Sequence, residues 1–528
     1  MFWRRSTGRS DVIAQHGVVA SSQPLATQAG LKILRKGGNS IDAAVATAAV
    51  LDIVEPFSTG CGGDAFALVH LPGKSRPVSI NGSGRSGSLI TLDDLLERGW
   101  TSMPVRGGAS VSVPGAMHMW YYLVEKYGSL EFSEVLEPAI YYARNGFPVS
   151  PIIAQVWPLA VHSLINDEAK RIYTIDGRSP RVGEILKNPG LAEVFEMVAS
   201  DGPHVFYGGN IGASIVKTVQ EHDGFLTMDD LESHKTVETV AVSTNYRGLD
   251  VFEHPPNGQG FAALIMLNLM EQFDFPTSSS LTAERYHLMI EAKKLAYGDL
   301  HQHNTDPSFY EIPLEALLSK EYAVERTKLI NRNRAMTEYP SGIPTDSDTV
   351  YLATADGAGG AVSFINSLYL GFGSGLVVPR YGIKLQNRGC LFSLDPTHPN
   401  CFAPKKLPFH TIIPGALYQD GNIQGVFGIM GGSHQAQAHA QFVSNLADYH
   451  MGPQEALDYP RFDHDHERNL VALENGIPPE VQGQLRRMGH VLIHETASGF
   501  GGGQAILRLE DAWIAGSDYR KDGQAAGF

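Results

Sequence analysis

The stretch Asn333–Asp348, NRAMTEYPSGIPTDSD, followed at 349–356 by TVYLATAD, decides how the chain is read. The first part is the most polar, Pro- and Gly-bearing segment of the sequence and predicts an exposed linker. The second alternates apolar and polar residues and predicts a strand closed by the turn Asp356-Gly357. A Thr that opens a strand is ordinarily a β-propensity residue. At the end of an exposed linker it has a second meaning. A cut between Asp348 and Thr349 would give Thr349 a free α-amine, whose ordinary pKa of about 7.7–8.0 suits a general base. Hydroxyl and base would then lie on one residue, as in Thr nucleophiles paired with their own N-terminal amine.

Outward from that point the two sides differ in texture. Before it, a strand at Gly17–Ser21 leads to helices predicted at Pro24–Lys36, closed by Gly37-Gly38, and from Ser40 to about Val54. A Gly-rich turn, Thr59–Asp64, enters an apolar strand, Ala65–His70. Ser112–Tyr127 reads as a turn and helix, Tyr142–Pro148 as a helix end, 240–253 as strand and turn, and Leu281 to about Leu300 as helix. After it, GGAVSFINSLYL (359–370), YGIKLQN (381–387), HTIIPGALYQD (410–420) and GNIQGVFGIM (421–430) predict hairpin strands. Helices are expected at about Gln435–Asp448 and near Pro453–Asp458, then strands in HVLIHE, GGGQAILRLE and AWIAGSD.

Composition bounds the function. The 528 residues are 43% hydrophobic and 18% charged, enough for a large core, and at about 150 residues per domain suggest three or four domains. A net charge of −15 argues against a nucleic-acid partner. Three cysteines, Cys61, Cys390 and Cys401, make neither a disulfide framework nor a Cys-rich metal site. The opening MFWRRSTGRSDVIAQHG lacks an apolar core for a secretory signal, and no apolar run reaches 18 residues, so a cytoplasmic protein without a membrane partner is expected. There is no phosphate-binding GxxxxGK[ST] and no HExxH. The run Asp463–Glu467 (DHDHE) is rich in ligand atoms, but neighbours along a strand point to opposite sides, so it reads as a polar turn. An acyl-transfer site needs convergent backbone N–H donors, and Gly431-Gly432, between the apolar strand and a helix start, offers them.

The motifs GGNSIDAAVA (37–46), EPFSTGCGGDAF (55–66), SVPGA (112–116), EPAIYYARNGFPVS (137–150), DTVYLATAD (348–356), FGSGLVV (372–378), GIMGGS (428–433) and YPRF (459–462) resemble, in order and over nearly the whole chain, the γ-glutamyltransferase (glutathione hydrolase) family of autoprocessing N-terminal-nucleophile hydrolases. The resemblance implies an α+β fold, a four-layer αββα sandwich. It implies a large subunit, 1–348, and a small subunit, 349–528, from one precursor, together one catalytic unit, with a homodimer of such heterodimers as a possible assembly. It assigns cleavage at Asp348–Thr349, catalysis to Thr349, the oxyanion site to Gly431 and Gly432, and support of the nucleophile to Ser367. No cofactor and no metal are implied, and the partner is a small-molecule amide substrate.

The departures point to the acyl group. Where glutathione-cleaving members grip the substrate carboxylate with an Arg, this chain has Asn81, with Arg85 four residues on. Tyr369 and Leu391 stand where an Asn and an acidic residue hold the α-ammonium, and His410-Thr411 replaces a serine pair. An ammonium buried without a carboxylate costs several kcal/mol. Arg388 instead favours an anionic acyl group. INGSGR, QNRG and PFHT resemble the cephalosporin-acylase-like and oxamate-amidohydrolase-like branch. The expectation is an autoprocessed amidohydrolase cleaving an amide of a small carboxylate-bearing acyl group, with Arg388, Arg85, Asn81, His410, Thr411 and Tyr369 around the substrate. The alternatives are a true γ-glutamyl hydrolase/transpeptidase acting on glutathione or its conjugates, and an unprocessed, non-catalytic relative.

Overall fold

The computed structural model describes residues 8–276, 279–339, 348–494 and 497–528. Two seven-stranded antiparallel sheets lie at its centre. One runs, edge to edge, Gln524–Gly527, Gly17–Ser21, Asp348–Asp356, Ala361–Tyr369, Asp64–His70, Val78–Gly82 and Val237–Thr239. The other runs Val12–Ala14, Trp513–Ser517, Gly502–Arg508, Asn422–Met430, Gly415–Gln419, Leu249–Glu253 and Val242–Tyr246.

Side-chain alternation along the strands sorts the core into layers. Phe66, Leu68, Tyr351, Ala353 and Ile365 of the first sheet meet Phe252, Ala416, Tyr418, Val426, Ile506 and Trp513 of the second in one buried cluster between the sheets. The intervening residues Ala65, Ala67, Val69, Val350, Leu352, Val362 and Phe364 face outward, into a cluster with the helices Ser40–Val54, Ala116–Tyr127 and Phe132–Asn145. Helices Gly260–Met270, Ala283–His303 and His434–Tyr449 cover the outer face of the second sheet through Val251, Leu417, Phe427 and Ile429. Helix, sheet, sheet, helix: this is the αββα sandwich expected from the motifs. The three or four domains suggested by length are replaced by one sandwich, because strands from both sides of residue 348 contribute to each sheet.

The helix Ser40–Val54 follows the Ala-rich pattern. Asn39 caps it, its side chain accepting from the Ile41 and Asp42 N–H groups while Asp42 accepts in return from the Asn39 N–H. Every residue of it is buried, including Asp52. Asp52 forms a buried ion pair with Lys384 and accepts the Cys61 N–H at 2.8 Å. This pair fixes the Gly-rich turn: a Cβ on Gly62 would lie 1.8 Å from the Lys384 carbonyl oxygen.

That contact explains a failed expectation. YGIKLQN forms no strand, only a bridge between Val377 and Lys384. Its backbone is committed elsewhere: Gln386 N–H donates to Gly62 and Asn387 N–H to Leu368. In HTIIPGALYQD the strand begins only at Gly415. The other predicted helices and strands fall within a few residues of expectation. Of the polar segment 333–348, residues 340–347 lie outside the described residues. Residues 333–339 are tethered, with Ala335 N–H donating to Met488 and Met336 N–H to Glu291.

Replacing Lys384 with Met is expected to strand a buried carboxylate and to cost about 3–5 kcal/mol. Urea denaturation of K384M should show that loss, and adding Asp52→Leu should recover most of it.

Candidate active site

Thr349 is buried (1% exposed), at the start of a central strand. The pairing with the neighbouring strand is irregular there: Asp348 opposes Tyr369 and Val350 opposes Asn366, so Ser367 and Leu368 together face Thr349. This bulge re-aims side chains at the strand end. Tyr369, beyond the bulge, has φ +80°, a conformation costly for a bulky residue. Its N–H donates to Ser367 Oγ at 2.8 Å.

From Thr349 a run of buried polar contacts crosses the site. Thr349 Oγ1 is 3.1 Å from Ser367 Oγ. One guanidinium nitrogen of Arg388 donates to the same Ser367 oxygen at 3.3 Å, and the other donates to Thr411 Oγ1 at 2.8 Å. The Arg388 guanidinium stacks on Tyr369, 4.4 Å from the ring centre. Gln259 Nε2 then joins the Thr411 carbonyl to that of Gly432. Gly431 and Gly432 have φ +130° and +56°, and a Cβ on Gly431 would meet Gly501 Cα at 3.2 Å, so the two-glycine turn is required by conformation and by space. Among the described residues their amides serve no other acceptor. The helix His434–Tyr449 starts just beyond, adding its positive end to the same place.

The structure thus joins six expected residues: Thr349, Ser367, Arg388, Tyr369, Thr411 and Gly432, with Gly431 adjacent. His410 lies beside them, its Nε2 2.9 Å from Asp64 Oδ2, while its Nδ1 is buried without a partner among the described residues. Asn81 donates to Asn257 Oδ1 at 3.0 Å and accepts from Ser83, so its amide is held within the protein. Arg85 turns away: half-exposed, it pairs with Asp306 at 2.7 Å and donates to the Lys405 carbonyl, outside the buried run. Leu391 is a buried apolar residue on the short helical turn Arg388–Leu391.

Two participants were not singled out from the sequence. Gln259 sits at a helix start that carries no recognisable motif. Asp64 lies in the quoted EPFSTGCGGDAF without an assigned role, yet it is fully buried, pairs in register with Ser367, and accepts the Gly84 N–H at 3.0 Å. Burial pushes its carboxyl up to about 7, against the pull of Arg388. Burial holds His410 well below the usual imidazole range, helped by Arg388, and lowers Arg388 to about 10, still charged at neutral pH.

For a metal, the described residues offer one cluster of ligand atoms, His287, Glu291 and His490. The two imidazoles already bond to each other at 2.8 Å, and Glu291 holds Lys294 and the Met336 N–H. In the DHDHE run, Asp463 instead orients His434 at 2.8 Å.

A buried Thr hydroxyl opening a central strand of an αββα sandwich defines an N-terminal nucleophile hydrolase fold. The chain matches the gamma-glutamyltranspeptidase family over residues 26–528 and belongs to that family. It is 37% identical to the glutathione hydrolase-like YwrD proenzyme of Bacillus subtilis, covering 98% of this chain and 99% of that one. It is 31% identical to the oxamate amidohydrolase proenzyme of Klebsiella pneumoniae, covering 98% and 100%. The crystal structure of cephalosporin acylase from Bacillus halodurans superposes with a TM-score of 0.93 at 41% identity, covering 100% of this chain and 98% of that one. The chain is an amide hydrolase of this family.

Ser367→Ala removes one hydrogen-bond partner of the Thr349 hydroxyl, worth about 1 kcal/mol. Amide hydrolysis should fall roughly five- to tenfold, and Ser367→Thr should restore most of it; initial rates of the three proteins read this.

Proposed function

We propose that the chain is made as a proenzyme and cleaves itself at Asp348–Thr349. Thr349 Oγ1 attacks the Asp348 carbonyl carbon, an N→O acyl shift gives an ester, and water releases the pieces 1–348 and 349–528. In the mature enzyme the Thr349 amine takes the hydroxyl proton and the alkoxide attacks a substrate amide. The tetrahedral oxyanion sits on the Gly431 and Gly432 N–H groups, each such donor supplying about 3–4 kcal/mol of transition-state stabilisation. The amine leaves with the proton, and water resolves the acyl-enzyme.

The acyl group in this reading is small and carries a carboxylate. The single observation behind it is the run Thr349–Ser367–Arg388–Thr411, which sets a buried cation beside the nucleophile. The γ-glutamyl reading also needs a carboxylate for an α-ammonium. Leu391 offers none, and Asp64 is already engaged by His410 and the Gly84 N–H. A cytoplasmic setting belongs to the same proposal: the three cysteines are free thiols, as reducing compartments keep them. Among the described residues no helix is long and apolar enough to cross a membrane.

Two measurements follow. Intact mass of the purified protein should show two chains divided at 348/349, and Thr349→Ala should leave one full-length chain; a wild type that stays whole and still hydrolyses amides would overturn the proposal. The second is pH dependence. Below about 7 Asp64 is protonated and Arg388 is left to the substrate; above it the ionised carboxylate competes for that guanidinium. His410, the other titratable group against Asp64, stays neutral throughout. KM for a carboxylate-bearing amide should therefore rise with pH through about 7, and Asp64→Asn should flatten that rise.

A further inference from the structure

Backbone donors stabilise an oxyanion only where they are aimed at it, and the turn that carries Gly431 and Gly432 is fixed through its carbonyls. Gly431 C=O accepts the His434 N–H at 2.9 Å. Gly432 C=O accepts the Gln435 N–H at 3.2 Å and Gln259 Nε2 at 2.7 Å. Ser433 C=O accepts the hydroxyl of Tyr297, a buried residue of the helix Ala283–His303. Burial, with Asp463 nearby, raises the pKa of the Tyr297 phenol, so the hydroxyl keeps its proton and donates. Lys293 Nζ packs over the same ring, 3.9 Å from its centre.

A trans peptide is planar, so its C=O and the N–H that follows point in opposite directions. The peptide bonds of this turn are trans. Tyr297 therefore acts through two rigid units in series. Its hydroxyl fixes the Ser433 carbonyl, and with it the His434 N–H on the same peptide. That N–H fixes the Gly431 carbonyl, and with it the Gly432 N–H.

The His434 side chain closes the turn from the side. Its Nδ1 bonds Asp463 Oδ1 at 2.8 Å, on the strand Phe462–Asp465, and the same oxygen accepts Gln437 Nε2 at 2.6 Å. His434 Nε2 is buried with no partner among the described residues, so Asp463 is the polar anchor of the ring. The ring borders Gly431: a Cβ placed there would lie 3.4 Å from His434 Cβ and 3.6 Å from its Cδ2, with Gly501 Cα at 3.2 Å.

The geometry points to Tyr297, and to the Asp463–His434 pair beside it, as positioning residues that aim the Gly432 N–H at the oxyanion. This rests on the oxyanion role proposed above for Gly431 and Gly432. A displacement of about 1 Å from reactive geometry costs up to about a hundredfold in rate. An interaction made only in the transition state is lost from kcat and not from KM.

The test uses the mature protein and whichever anilide of malonate, succinate or γ-glutamate the wild type turns over fastest. Tyr297→Phe keeps the ring and removes the donor. Its kcat should fall roughly ten- to hundredfold with KM nearly unchanged. His434→Ala should also lower kcat, and His434→Asn, whose amide N–H stands in for Nδ1, should recover much of it. Deuterium exchange over residues 428–437, read by mass spectrometry, should be faster in Tyr297→Phe than in the wild type. Unchanged kcat with unchanged exchange, or a loss carried by KM alone, overturns the positioning role. Unchanged kcat with faster exchange leaves Tyr297 holding the turn and overturns the oxyanion reading instead. Should Tyr297→Phe fail to mature, the His434 variants decide: recovery in His434→Asn supports the role, and equal kcat in both overturns it. If the wild type cleaves none of the three anilides, exchange alone decides whether Tyr297 holds the turn.

Discussion

A guanidinium sealed inside a protein must be met by acceptors and by a polarisable face, or its burial costs several kcal/mol. Arg388 is fully buried, and its requirements organise the site. Thr411 and Ser367 supply the oxygens, Tyr369 the ring, and Asp64 a compensating carboxyl nearby. Meeting Arg388 is also what brings Ser367 to bear on Thr349. The same residue thus bonds the Ser367 hydroxyl that meets Thr349 and holds a positive charge beside it, which is what the proposed anionic acyl group would meet.

The fold makes self-cleavage compatible with a lasting structure. The central strand is bonded on both flanks, to Gly17–Ser21 and to Ala361–Tyr369, so the proposed cut between Asp348 and Thr349 would part only the Asp348–Tyr369 pair from it and leave the ladders from Val350 onward. The pieces on either side of 348 interleave in both sheets and are joined by the buried Asp52–Lys384 pair. At the proposed cut the bulge opposes two residues to Thr349 and holds Tyr369 at positive φ, a costly conformation for a bulky residue.

Much of this was legible in the sequence because it rests on local signals. Helix Pro24–Lys36 is bounded by its Pro and by Gly37, Ser40–Val54 by its Asn39 cap, and the strand at 349 by alternation after a polar stretch. Gly431-Gly432 announces a turn that only glycine adopts. What escaped is set by distant partners. YGIKLQN has a strand's composition, but Gly62 and Leu368 claim its backbone. Arg85 has the chemistry of a carboxylate ligand, yet Asp306, 221 positions away in sequence, takes it. Asp64 and Gln259 carry no pattern of their own, because their roles exist only once His410, Thr411 and Gly432 are assembled around them.

The central claim is that Thr349, freed by cleavage, carries the acyl group. Rapid quenching of the mature enzyme during turnover of a slow aryl ester or anilide of malonate, followed by mass spectrometry of the 349–528 chain, tests it most directly. A malonyl adduct on Thr349 that disappears as substrate is exhausted is the predicted result. An adduct on another residue, or turnover with no adduct by a chain still joined at 348–349, would contradict the account.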